Sequence, residues 1–207
     1  GSVTGYDQNG STAENQRSSA TNPWGDTGVI WGTFPDGASD ADGGWVTTPF
    51  NIDNTKLYRF SVWVKRTSST TGGTFYYGMY ANGDGSRRMD NGAVETNAYW
   101  VCIGTSGLVQ NVWYLYVGHV YPSTTSYTGR NPDTGYYFVN NPTKQGDING
   151  CNIGTGDLKW SNNSTLGYHR AFHFYCADTT TRLQFYNPRV DLVDGKQPSI
   201  TELVTRS

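Results

Sequence analysis

Hydrophobic and polar residues alternate along the chain, most regularly over residues 57–65. A period of two over nine residues, rich in aromatic and β-branched types, predicts a β-strand. One face of this strand is entirely apolar and must lie in a core. The other face is amphipathic, and it carries both Arg59 and Trp63. The apolar face holds Tyr58, Phe60, Val62 and Val64, and the opposite face holds Leu57, Arg59, Ser61, Trp63 and Lys65.

The same alternation recurs along the chain and is interrupted by runs of Gly, Pro, Asn, Asp and Ser, which favour turns. No segment shows the i, i+3, i+4 spacing of a helix over several turns. Many short strands with regularly spaced turns predict an all-β sandwich or barrel. The predicted strands are residues 24–34, 45–52, 57–65, 75–80, 99–103, 112–121, 169–176, 181–186 and 188–193, with a shorter one at 87–89.

The distribution of these strands predicts one folded domain with two simpler ends. Residues 1–22 are polar and lack periodicity, so we expect an irregular N-terminal arm or linker. Residues 23–195 form the predicted β domain, and residues 196–207 the predicted C-terminal tail. A polar, Gly- and Asn-rich insertion spans residues 123–164, and an insertion of that length is usually functional or forms an edge.

Composition narrows the class of protein. Aromatic residues make up 14% of the chain and charged residues only 15%, a balance that fits a globular β protein and excludes disorder. The net charge of −2 disfavours a nucleic-acid partner. No apolar run is long enough for a transmembrane helix, so we expect no membrane insertion. We also expect no signal peptide within this sequence.

The three cysteines, Cys102, Cys151 and Cys176, have no metal-binding spacing. Cys102 and Cys176 lie in apolar, strand-like segments, which favours buried thiols. One disulfide with one free thiol is the alternative.

Asp36, Asp40 and Asp42 stand close together among glycines and are candidate oxygen ligands for calcium. Aspartate is also common in turns for reasons unrelated to metals. The histidines His119, His169 and His173 could in principle hold zinc, but histidines on β faces are more often packing or hydrogen-bonding groups.

Aromatic and planar polar side chains lie on strand faces opposite the predicted core, which is how proteins bind sugars. Rings stack on the C–H faces of a pyranose while Arg, Gln or His side chains hydrogen-bond its hydroxyls. The competing interpretation is that these aromatics fill a two-layer core. The candidate ligand-binding residues are Arg59, Trp63, Tyr76, Tyr80, His173, Tyr175, Arg182 and Gln184. A second candidate surface is formed by loop aromatics, namely Trp24, Tyr127, Tyr136, Tyr137 and Trp160.

Four segments carry a resemblance to a known family: Gly43-Gly44-Trp45, residues 58–65, residues 113–122 and residues 186–193. With these the chain resembles carbohydrate-binding-module-like jelly-roll (galactose-binding-like) domains, which occur in phage tail-fibre and adhesin proteins and appended to glycoside hydrolases. The resemblance implies a single β-sandwich of jelly-roll type with two antiparallel sheets. It also implies a structural Ca²⁺ between the N-terminal strand and the last strand, where Asp191 lies.

These observations together predict a noncatalytic carbohydrate-binding module that binds a glycan or polysaccharide. Its parent would be a phage tail fibre, an adhesin or a polysaccharide-degrading protein, located in a virion tail or outside the cell. The alternative is a structural or oligomerisation domain of a viral fibre, and a homo-oligomer through the parent protein stays open. A polysaccharide lyase is a weaker alternative, because no acid–base pair stands out and no Gly-x-Ser-x-Gly, His-Glu-x-x-His or phosphate-loop motif occurs.

Overall fold

The computed structural model describes residues 4–148 and 150–206. The described residues are 48% strand and 4% helix, which confirms the all-β prediction. No helix within these ranges is long and apolar enough to cross a lipid bilayer. A 3₁₀ turn spans Thr105–Gly107 and the helix α1 spans Ile200–Thr205. The strands are β1 (Tyr6–Gln8), β2 (Asn15–Thr21), β3 (Thr27–Thr33), β4 (Ala41–Thr47), β5 (Phe50–Asn51), β6 (Tyr58–Arg66), β7 (Thr74–Ala81), β8 (Ser86–Arg88), β9 (Val94–Glu95), β10 (Tyr99–Gly104), β11 (Trp113–Tyr121), β12 (Gly135–Phe138), β13 (Asn141–Gly146), β14 (Leu158–Trp160), β15 (Leu166–Phe174) and β16 (Leu183–Leu192).

The strands form two open sheets that face each other as a β-sandwich of jelly-roll type, as predicted. The six-stranded sheet has the order β1-β4-β15-β7-β10, with β5 also paired to β15. The ten-stranded sheet has the order β2-β3-β16-β6-β11-β14-β8-β9, with the β12–β13 hairpin beside β11. Pairing is antiparallel between the described strands except for the short β11–β14 contact, which is parallel.

The core between the two sheets is built on β6. Phe60, Val62 and Val64 are fully buried there, so the apolar face of the central strand lies where its alternation predicts. The Phe60 ring lies 5.2 Å from the ring of Trp100, which projects inward from β10. Gly118 of β11 makes room for that ring, because a Cβ atom at this position would lie 2.2 Å from it.

A second, smaller core covers the outer face of the ten-stranded sheet. Trp63 of β6 is 1% exposed and packs edge-on against Trp24, with ring centroids 5.7 Å apart. The Trp24 indole N–H donates to the carbonyl oxygen of Val204 in α1 at 2.8 Å. Both faces of β6 are therefore buried.

The two chain ends differ from the sequence expectation. The predicted irregular arm supplies β1 to one sheet and β2 to the other. The predicted tail contains α1, which begins with a capping box between Ser199 and Glu202 and buries Leu203 and Val204. The alternation is weak in β2 because it is an edge strand exposed along most of its length.

The structure also corrects the expectation that the cysteines are buried thiols. Cys102 and Cys151 form a disulfide with a Cα–Cα distance of 5.6 Å, whereas Cys176 is a free, buried thiol. The alternative of one disulfide and one thiol is therefore confirmed. The sequence could not select the pair, because Cys151 is separated from Cys102 by 49 residues and lies in a polar loop.

Because Trp63 is packed on all sides, Trp63→Ala should lower the free energy of unfolding by about 3–5 kcal/mol. Chemical denaturation followed by far-ultraviolet circular dichroism measures this loss. The matched control is Tyr127→Ala, which truncates an aromatic ring that is 46% exposed and should cost far less. Equal stability of the two variants would contradict the second core.

The buried histidines predict how stability depends on pH. Burial lowers the pKa of His169 from 6.5 to about 3. The unfolded chain then binds more protons than the folded one below pH 6.5, so stability is complete above that pH and is lost as the pH falls. His169→Gln keeps a hydrogen-bonding group near the Tyr77 hydroxyl, which lies 3.2 Å from the His169 Nε2 atom.

Between pH 7.5 and pH 5, the unmodified chain should therefore lose about 2 kcal/mol more stability than His169→Gln. Urea titrations at the two pH values measure the difference. Parallel losses in the two proteins would show that the ring titrates normally in the folded chain.

Candidate functional site

The outer face of the six-stranded sheet carries a dense group of aromatic side chains. In β15, His169, Ala171 and His173 point into the core, so the alternate residues point outward. In β7, Tyr76 and Tyr80 lie on the same outer side. We call this surface the aromatic face; its members are Tyr76, Tyr80, Tyr99, Tyr168, Arg170, Phe172, Phe174 and Tyr175.

The aromatic face contains two clefts. The first cleft, of about 350 Å³, is lined by Tyr76, Asn97, Tyr99, Cys151, Asn152, Phe174 and Tyr175. The second cleft, of about 410 Å³, is lined by Asp7, Val46, Thr47, Tyr80, Tyr168, Arg170 and Phe172.

The rings in the first cleft contact one another. The Tyr76 centroid lies 5.0 Å from that of Tyr99 and 5.7 Å from that of Phe174. The Cys102–Cys151 disulfide ties the loop that carries Asn152 to β10 beside these rings. The cleft wall is therefore covalently fixed.

Arg170 lies at the centre of the aromatic face, between the two clefts. Its guanidinium carbon is 4.1 Å from the centroid of Tyr99 and 6.0 Å from that of Phe172. Gly78, its neighbour on β7, adds no side chain there, and a Cβ atom on Gly78 would collide with Tyr99. Burial lowers the pKa of Arg170, but a guanidinium stays protonated at neutral pH.

Three of the predicted ligand residues lie on the aromatic face, namely Tyr76, Tyr80 and Tyr175. Tyr80 is 39% exposed and Tyr175 is 56% exposed, so both offer ring surface to a partner. Tyr175 follows the end of β15 with a φ of 61°, which turns the chain out of the strand.

His173 was assigned to the wrong face of β15. Its ring is fully buried between the sheets, where Nδ1 lies 3.2 Å from the Thr33 hydroxyl and Nε2 lies 2.9 Å from the Gly72 carbonyl oxygen. The alternate set with Arg170, Phe172 and Phe174 is richer in large apolar rings than the set with the histidines, so the alternation predicted the wrong inward face.

The prediction that Arg59 and Trp63 bind a ligand is also wrong, because the outer face of β6 is covered. Arg59 is 3% exposed, and its Nη2 atom lies 3.0 Å from a carboxylate oxygen of Asp191. A buried, paired arginine and a buried indole cannot bind a ligand from solution without unpacking the second core.

The last two predicted ligand residues lie away from the aromatic face. Arg182 is placed over the Phe34 ring at 4.7 Å, and its Nη1 atom donates to the carbonyl oxygens of Thr179 and Thr181. Gln184 pairs with Lys65 on the ten-stranded sheet. Both are thus remote from the aromatic face.

The structure adds five members that sequence reasoning missed. They follow from the orientation of β15 and from β10, whose first residue places a ring next to Tyr76; they are Tyr99, Tyr168, Arg170, Phe172 and Phe174. Of the loop aromatics, Trp24, Tyr136, Tyr137 and Trp160 pack in or against the cores, and Tyr127 is 46% exposed.

A separate cluster of carboxylates lies at the start of β4. Asp36, Asp40 and Asp42 converge with Glu14, and one oxygen from each lies within 4.8 Å of the others. The Asp42 Oδ2 atom accepts from the Cys176 backbone N–H at 2.7 Å, whereas its buried Oδ1 atom has no partner among the described residues.

Electrostatics make this cluster suitable for a cation. Asp42 is fully buried, and burial together with the charges of Glu14, Asp40 and Asp36 raises its pKa to about 6. Four carboxylates that form no ion pair with another described residue suit a hard cation such as calcium.

Asp191 does not join this cluster. Its carboxylate lies 3.0 Å from Arg59 and 2.7 Å from Arg189, so the structure gives it a role as a counter-ion. Of the residues expected near a metal, the structure thus brings together the three from the loop and replaces Asp191 with Glu14.

No protein-family model matches the chain, and no curated protein matches it. Similar solved structures include a CBM4 module, at 9% identity and a TM-score of 0.42, covering 91% of this chain and 94% of that one. The CBM22-1 xylan-binding domain from Paenibacillus barcinonensis is 11% identical, with a TM-score of 0.42 and coverages of 93% and 88%. Alginate lyase vAL-1 from Chlorella virus is 11% identical, with a TM-score of 0.48 and coverages of 90% and 92%. The structural neighbours therefore include carbohydrate-binding modules, the family type that the sequence resembles.

Proposed function

We propose that this chain is a noncatalytic carbohydrate-binding module whose ligand lies across the aromatic face. The observation that carries the proposal is a row of outward rings on an open sheet face, flanked by two clefts. Rigid rings on neighbouring strands can stack on successive sugar units with little loss of conformational entropy. Asn97 and Asn152 in the first cleft, and Asp7 and Thr47 in the second, supply hydrogen-bonding groups beside the rings.

The side chains that line the two clefts favour glycan binding over glycoside hydrolysis. A glycoside hydrolase generally uses a pair of carboxyl groups that flank the scissile bond. Among the described residues that line the two clefts, Asp7 is the one carboxylate. His169 and His173 lie on the opposite side of β15, in the core.

The alternative enzyme is a polysaccharide lyase, because Tyr80, Tyr168 and Arg170 bring phenols and a guanidinium to one cleft. New ultraviolet absorbance on incubation with uronic-acid polymers would establish that activity. The structural alternative is burial of the aromatic face against another copy of the chain, which a concentration-dependent mass in solution would reveal.

We place the module in an oxidising compartment outside the cytosol. The support is the Cys102–Cys151 disulfide, a bond that rarely persists among reduced cytosolic thiols. A parent protein of the adhesin, tail-fibre or polysaccharide-degrading kind fits that location, and repeated copies in such a parent would raise weak affinities by multivalency.

We propose, in addition, that Glu14, Asp36, Asp40 and Asp42 hold a structural calcium ion. The cluster joins the start of β2 to the loop before β4, and Asp42 holds the Cys176 backbone at the end of β15. A cation here would fix three segments of the sandwich and neutralise a buried carboxylate.

Truncation of two tyrosines of the aromatic face tests the binding site. Tyr76→Ala and Tyr80→Ala should each weaken glycan binding roughly tenfold, about 1.4 kcal/mol, because each removes one stacking surface. A glycan array identifies the ligand class, and titration calorimetry then measures the affinities.

Tyr127→Ala is the matched control, since Tyr127 and Tyr80 are 46% and 39% exposed but only Tyr80 lines a cleft. Unchanged binding by both Tyr76→Ala and Tyr80→Ala, with normal melting temperatures, would exclude the aromatic face as the site.

Calcium should raise the melting temperature at pH 7.5 by roughly 5–10 °C at a concentration 100 times its dissociation constant. Asp42→Asn should abolish that shift, because it removes a charged ligand from the cluster. Asp133→Asn, which changes an exposed aspartate far from the cluster in sequence, is the control and should keep the shift. Differential scanning fluorimetry with calcium and with chelator measures both, and an equal shift in all three proteins would place calcium elsewhere.

A further inference from the structure

Arg170 is half-buried, and unlike the buried Arg59 and Arg66 it has no hydrogen-bonded or ion-pair partner among the described residues. Its Nε and Nη2 atoms are buried, and neither has a hydrogen-bond partner among the described residues. None of the ion pairs between described residues involves it. Arg59, by contrast, is paired with Asp191, and Arg66 donates to the carbonyl oxygens of Leu108, Ser68 and Thr70.

An unpaired cation in a desolvated position is unfavourable for folding alone. Removing a guanidinium from water costs free energy that only a counter-charge or several hydrogen bonds can offset. The ring of Tyr99 at 4.1 Å offsets part of this cost by a cation–π contact. Nη1 is not among these buried atoms, so it is the donor that a group from outside the chain meets first. The neighbouring Nη2 atom becomes available to the same group once the side chains that cover it move aside.

The position of Arg170 indicates where that group would arrive. Arg170 lines the second cleft together with Tyr80 and Tyr168, whose rings lie 5.2 Å apart. Asp7 lines the same cleft, and none of the ion pairs between described residues joins it to Arg170. A sugar stacked on the two tyrosines would therefore hold its ring substituents next to a positive charge in a partly dehydrated setting, where attraction is stronger than in bulk water.

We propose that the aromatic face selects glycans that carry a negative charge, and that Arg170 binds the anionic group. This inference rests on the proposed carbohydrate-binding function and names the substrate class. The shared chemistry is a planar or tetrahedral oxyanion, which a guanidinium binds through two parallel hydrogen bonds. The carboxylate of a uronic acid and the sulfate ester of a sulfated sugar both supply it.

Paired ligands that differ only in charge test the proposal by titration calorimetry. One pair is a uronic-acid hexamer and the same hexamer with its carboxylates methyl-esterified. The other is a sulfated galactose oligomer and its desulfated form. The unmodified chain should bind the charged member of at least one pair roughly tenfold tighter. The pair that shows the preference identifies the oxyanion.

Three variants assign the preference to Arg170. Arg170→Met keeps a long apolar stem beside Tyr99 and should bind both members of the pair equally, with an unchanged or higher melting temperature. Arg170→Lys keeps the charge without the two-pronged geometry and should retain part of the preference. Arg17→Met removes one positive charge from the exposed edge strand β2 and should leave the preference intact.

The results of these titrations distinguish a failure of the proposed role of Arg170 from a failure of the proposed glycan binding. If the unmodified chain binds both members of each pair equally, or if Arg170→Met keeps the preference, glycan binding stands and the role of Arg170 is overturned. If no glycan of any charge binds, the proposed function fails and this inference fails with it.

Discussion

The burial of both faces of β6 determines which surface of the sandwich is left for a ligand. Phe60, Val62 and Val64 fill the space between the sheets, and Trp63 is covered on the other side by Trp24 and by α1. The outer face of the ten-stranded sheet is therefore occupied by the chain's own ends. The outer face of the six-stranded sheet has no such cover within the described residues, and its aromatic side chains face the clefts.

The outer faces of the two sheets therefore differ in the side chains they bury and expose. The ten-stranded sheet buries tryptophans and a paired arginine, whereas the six-stranded sheet presents tyrosines, phenylalanines and an unpaired arginine on its outer side. The Cys102–Cys151 disulfide and the hydrogen bond from the Cys176 backbone N–H to Asp42 hold two loops at the margins of the six-stranded sheet. Such preorganisation limits the entropy that binding a flexible glycan would otherwise cost.

Sequence alone predicted the strands well and their orientation poorly. Alternation located β6 and β11 and identified the apolar face of β6, because a half-apolar strand has one possible inward side. It failed for β15, because the more apolar set of alternate residues, with Tyr168, Phe172 and Phe174, points outward, and so His173 was chosen in place of Arg170. It also failed for Trp63, because the cover over that residue comes from Trp24 and α1, which are both far from it in the sequence.

The carboxylate cluster could also be predicted only in part from the sequence. Asp36, Asp40 and Asp42 lie close in sequence and meet in the structure, so local spacing was enough to find them. Glu14 joins them because the neighbouring Asn15 amide oxygen accepts from the Gly44 backbone N–H of β4 at 2.9 Å, which brings the start of β2 to this loop. Asp191 pairs instead with Arg59 and Arg189. Contacts between distant segments are set by tertiary packing, which no local pattern encodes.

The most direct test of the account is to map where a glycan touches the folded chain. Amide signals of the ¹⁵N-labelled protein, followed by nuclear magnetic resonance during titration with a ligand found on the array, report contact residue by residue. The account predicts shifts concentrated on β7, β10 and β15, with Gly78, Tyr99 and Arg170 among the largest. Shifts concentrated on the ten-stranded sheet or near Tyr127, with β7 and β15 unmoved, would contradict it.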